Sequence, residues 1–113
     1  RVVTISASVE FVCMRHDAYV IADPELPDQD EEEALIESKK LRLLLASYPV
    51  EGKIPAKMIA TEVASICTRH DAYTEKDPVL DELSRGSYLR ESQILGRLVK
   101  QANSASASVT MAP

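Results

Sequence analysis

The sequence predicts an all-α protein: a tandem duplication of an αα-hairpin, folded as a four-helix bundle with internal pseudo-two-fold symmetry. Three observations predict it. A segment of the chain recurs at an offset of 54 residues. Apolar residues follow the helical period in both copies. The composition, with 45% hydrophobic residues but only 4% aromatics, three Gly and no Trp, favours helices over a β-sandwich. At 113 residues the chain holds one domain. Two cysteines cannot staple a disulfide scaffold. No apolar run approaches the ~20 residues that span a bilayer. A formal charge of −5 argues against nucleic acid as a direct partner.

The repeat is clearest where Cys13-Met14-Arg15-His16-Asp17-Ala18-Tyr19 returns as Cys67-Thr68-Arg69-His70-Asp71-Ala72-Tyr73. Without gaps, residues 4–26 match residues 58–80 at 11 of 23 positions. Leu35, Glu37, Ser38, Leu41 and Leu44 match Leu89, Glu91, Ser92, Leu95 and Leu98. The predicted domain is 1–102, built from units of about 2–48 and 55–102, with 103–113 as a flexible Ser/Ala tail.

Each element follows from local pattern. Ile5, Val9, Val12, Cys13 and His16 fall at helical spacing, as do Ile59, Val63, Ile66, Cys67 and His70. The β-branched N-terminal stretch reads alone as a strand, but its duplicate reads as helix, so helix is expected there. These first helices should end near Tyr19 and Tyr73, with Asp23 and Asp77 as N-caps and Pro24 and Pro78 as first helical residues. The second helix begins in earnest at Asp30. Its glutamates Glu31 to Glu33 favour the positive end of the dipole, and Lys39, Lys40 and Arg42 follow at pairing distance. Tyr48-Pro49 ends it. Pro55 opens the third helix, and Ser84-Arg85-Gly86-Ser87 is expected to break the fourth, leaving its main part over about 87–101.

Cys13, His16, Cys67 and His70 are the candidate metal ligands. Residues three apart share a helix face, and a two-fold relation would assemble a Cys2His2 set that zinc accepts. Against this, Cys packs well as a small hydrophobe, and His near a helix C-terminus bonds free carbonyls. The expectation is therefore no cofactor, with zinc as the alternative. His16-Asp17 and His70-Asp71 also invite a metal-dependent phosphohydrolase reading. Such sites need further His ligands, and this chain has two His in all. A structural role for Arg15, Asp17 and Tyr19 at the helix end is the expectation, with no catalytic residue and no enzyme.

The copies differ on their outer faces. Val3, Ala7, Phe11, Met14, Ala18 and Ile21 form an apolar stripe opposite the Ile5/Val9/Cys13 face. Their equivalents are Lys57, Thr61, Ser65, Thr68, Ala72 and Glu75. Ile36 and Leu43 correspond to Arg90 and Arg97, although Lys40 corresponds to Ile94. A helix apolar all round is covered all round. The stripe, with Ile36 and Leu43, is thus the candidate partner or dimer interface, and isologous pairing is the default for a symmetric contact. Charge segregates too: residues 1–54 carry 6 basic and 11 acidic side chains, and residues 55–113 carry 7 of each. The acidic run Asp28 to Glu33 is either a solvated helix start or a rim that steers a basic partner.

These features predict a non-enzymatic, homodimeric binding module without a membrane segment. The first stretch has no strong apolar signal-type core and contains Glu10, which predicts a cytoplasmic location. Through size, acidity and helical content, and with Arg15 to Tyr19 and Arg69 to Tyr73 as the nearest thing to a motif, the chain resembles the small helical antiactivators of LuxR-type quorum-sensing transcription factors. That resemblance implies sequestration of a transcription factor and loss of its DNA binding.

Overall fold

A computed structural model describes residues 2–5, 8–46, 53–105 and 108–111. Its order is β1 (Val2–Ile5), α1 (Ser8–Ala22), α2 (Asp28–Ala46), β2 (Lys53–Pro55), a 3₁₀ turn (Ala56–Met58), α3 (Ala60–Lys76), α4 (Glu82–Ser104) and β3 (Ser108–Met111). The four helices form the expected bundle. α1 packs on α3, α2 lies against both, and α4 lies against both from the other repeat.

The core uses the positions that the two copies share. Val9 and Val63, Val12 and Ile66, Cys13 and Cys67, and Leu41 and Leu95 are all buried in one cluster. Ile59 and Val99 complete it. Burying such side chains contributes roughly 1.5–3 kcal/mol each before the entropy of ordering them is subtracted.

The ends of the chain depart from the expectation. Val2–Ile5 is a strand rather than the start of a helix, so Ile5 and Val3 leave the helical stripes assigned to them. Four consecutive residues, three of them β-branched aliphatics and one Thr, keep their strand preference because β3 offers a partner. β1 pairs in parallel with β3, Val3 opposite Val109, and β2 pairs antiparallel with the other side of β3, Ile54 opposite Val109. The sheet order is β1-β3-β2. The segment from residue 103, expected to fray, carries the end of α4 and this central strand. Ala7 lies outside the described residues, as do residues 47–52 with Tyr48-Pro49.

The turns between helices also differ. α1 and α3 run on to Ala22 and Lys76. Asp23 and Asp77 do not start a helix at the following proline. Their side chains accept the backbone N–H of Glu25 and Val79, each at 2.9 Å, and hold a tight turn. α2 begins at Asp28, and Asp81 caps α4 by accepting from the Ser84 N–H at 2.7 Å. α4 passes through Gly86 unbroken. Arg85 helps by donating to the carbonyls of Thr74, Glu75 and Leu80, so the end of α3 and the start of α4 are tied together. Pro55 precedes the 3₁₀ turn rather than α3 itself.

Candidate functional site

The repeated Arg-His-Asp-Ala-Tyr segments meet where α1 crosses α3. Both imidazoles are fully buried. His16 Nδ1 lies 2.8 Å from Asp17, and His70 Nδ1 lies 2.9 Å from Asp71. On the far side of each ring stands the arginine of the other copy. Arg69 donates to His16 Nε2 at 2.8 Å, and Arg15 donates through Nε to His70 Nε2 at 3.2 Å. A guanidinium can only donate, so both Nε2 atoms accept and the ring protons sit on Nδ1, directed at the aspartates. Burial lowers both histidine pKa values; the aspartate beside each opposes that shift, and the facing arginine adds to it. Both rings are neutral at pH 7.

The arginines reach further into the opposite copy. Arg69 donates to Glu37 at 3.1 Å, and Arg15 bonds Glu91. Arg15 also lies over the Tyr88 ring, 4.1 Å from its centroid. One turn on, the two tyrosines stack with centroids 5.5 Å apart. Tyr19 donates to Asp77 at 2.7 Å, and Tyr73 donates to Asp23 at 2.8 Å. Burial and these acidic acceptors push both phenols up to about 12. The arginine–histidine, arginine–glutamate and tyrosine–aspartate bonds all run from one copy to the other, and each has its counterpart on exchange of the copies, whereas the Tyr88 contact has none because its equivalent is Ala34.

This arrangement bears on the candidate ligands. It brings His16 and His70 into one network but leaves neither imidazole a free nitrogen. Burial pushes the Cys67 thiol to about 11 and raises that of Cys13, so both stay protonated. Cys67 Sγ lies 3.7 Å from the Ser92 carbonyl, to which it donates. Among the described residues no group of three or more His, Cys, Asp and Glu is placed to hold a metal ion. An open cleft of about 580 Å³ lies over the tyrosine stack, lined by Arg69, Asp23, Asp77 and Lys76 among others. Most of its polar groups are already bonded to one another.

The described residues of the outer stripe lie at the surface. Phe11, Met14 and Ile21 on α1 are 52%, 54% and 63% exposed, and Ala18 between them is exposed. On α2, Ile36 and Leu43 are 53% and 58% exposed. The equivalent positions in the second copy are Ser65, which is half-buried, and Thr68, Ala72, Glu75, Arg90 and Arg97, which are exposed. The basic residues of α2 do not pair within the helix as expected. Arg42 reaches Glu10 and Asp17 on α1, and Lys40 reaches Glu62 on α3 at 3.1 Å.

No family model, curated protein or solved structure matches the chain. Among the described residues no helix is long and apolar enough to cross a membrane.

Proposed function

We propose that the chain is a non-enzymatic regulator that binds another protein through the outer face of α1, with Phe11, Met14, Ala18 and Ile21 as the contact. One observation carries this reading. Equivalent outer positions are exposed in both copies, save that Ser65 is half-buried, yet they are apolar in the first and mostly polar in the second. The inner faces share the buried pairs Val9/Val63, Val12/Ile66, Cys13/Cys67 and Leu41/Leu95, so this shared core gives no reason for the outer difference. A partner that covers only the first face does. The helix then presents side chains at i, i+3, i+7 and i+10, the spacing of a helix that lies in a groove.

The His-Asp pairs support a structural rather than a catalytic role. A general base needs an accessible lone pair, and each Nε2 lone pair is taken by an arginine. As to the partner, the resemblance to antiactivators favours a LuxR-type transcription factor, with Asp28 to Glu33 as an acidic rim that steers a basic surface.

The reading is tested by placing a photo-crosslinking residue at position 11, and separately at position 65, in cells that make the chain. The expected result is a discrete protein adduct at 11 and none at 65. Equal labelling at both, or none at 11, would contradict it. Purified receptor with its operator DNA then tests the finer reading: added chain should abolish the shifted complex, and Phe11→Glu should not.

A further inference from the structure

The exposed edge of α2 has a charge order that fits a second copy of itself. Along one face stand Gln29, Glu32, Glu33, Ile36, Lys39, Lys40 and Leu43, all exposed. The acidic residues lie on the N-terminal side of Ile36 and the basic ones on the C-terminal side. About Ile36 as a centre, Glu32 is as far on one side as Lys40 is on the other, and Glu33 matches Lys39. We propose that the chain forms an isologous dimer in which α2 lies antiparallel to α2 of a second copy, with the two-fold axis at Ile36. This rests on the reading of the first copy's outer face as an interaction surface, and it names a second copy as the occupant of the α2 part.

Antiparallel pairing sets both glutamates of each chain against both lysines of the other, four complementary pairs about one apolar centre. Parallel pairing would set like charges together and is disfavoured by the same residues. Glu32, Glu33 and Lys39 make no ion pair among the described residues, and Lys40, though paired with Glu62, keeps its side chain 63% exposed. Ile36, Lys39, Lys40, Leu43 and Leu44 border a shallow hollow of about 290 Å³ on the same face. The second copy lacks the pattern. Its equivalents are Leu83, Gly86, Ser87, Arg90, Gln93, Ile94 and Arg97, with no acid among them.

Charge reversal tests the arrangement by light scattering on a sizing column. Wild type is expected at twice the chain mass. Glu32→Lys/Glu33→Lys and Lys39→Glu/Lys40→Glu are each expected at the monomer mass, since each sets like charges across the axis. An equimolar mixture of the two variants is expected to return to the dimer mass, because every pair is then complementary again. Ile36→Arg, which copies the residue of the second repeat, should be a folded monomer by circular dichroism. A monomeric wild type, or dimers in both reversal variants alone, would overturn the proposal. The position-11 crosslink distinguishes the two readings: it should persist in Lys39→Glu/Lys40→Glu and in Ile36→Arg, which leave the acidic run intact, whereas its absence in wild type would strike the α1 reading instead.

Discussion

Between pH 7 and pH 5 the folding free energy is expected to fall, with a limiting slope of about 2.7 kcal/mol per pH unit for two histidines. His16 and His70 are held below the ordinary value of 6.5, chiefly by burial. Protonation in the native state would place a new N–H on Nε2 against an arginine that already donates there. The unfolded chain has no such penalty, so it binds more protons throughout the window from 6.5 down to the native values. Stability is therefore complete above 6.5 and is lost as the pH falls through that window. Hydrogen bonds hold Asp23 and Asp77 below the ordinary carboxylate value of 3.8, so their contribution is lost only in a second, more acidic window. Urea unfolding at a series of pH values measures the slope. Replacing either histidine by glutamine should roughly halve it. A stability that stays flat from pH 7 to pH 5 would contradict the neutral, arginine-capped assignment.

Arg69→Ala is expected to cost about 1–3 kcal/mol for the orphaned His16 acceptor alone. His16 is 0% exposed with Arg69 in place, and Glu37 loses its cation as well. Arg15→Ala should act in the same way through His70 and Glu91, and it also removes the guanidinium from Tyr88. A double-mutant cycle separates this bond from simple truncation. In a His16→Leu background the loss on removing Arg69 should shrink. Full additivity of the two substitutions would show that the bond between the copies is not what Arg69 contributes.

The helices and their shared core were legible because the two copies check each other. Val9, Val12, Cys13 and Leu41 repeat as Val63, Ile66, Cys67 and Leu95, and all are buried. The outer stripe was legible from Phe11 onward by the opposite signal, a difference between the copies. The bonds between copies were not foreseen, although their signal was present. Arg15, His16, Asp17, Tyr19, Asp23 and Glu37 all have identical equivalents, and identity of polar side chains at equivalent places marks contacts that a two-fold exchange must satisfy twice. Helical period places a residue on a face but does not say which neighbour it meets. The sheet was missed for a similar reason. Val2–Ile5 gains its strand only by pairing with Ser108–Met111, which lies at the other end of the chain. Local pattern compared it instead with residues 56–59, where Pro55 and the following 3₁₀ turn impose a different path.

Phe11→Glu tests the central claim most directly, through its unfolding in urea and its capture of the protein crosslinked at position 11. If the α1 stripe is a docking surface, the charge replaces a ring that is 52% exposed. The predicted result is a folding free energy within about 0.5 kcal/mol of wild type, as for surface substitutions generally, together with loss of the complex. A folding loss of several kcal/mol, or a complex that survives the substitution, would contradict it.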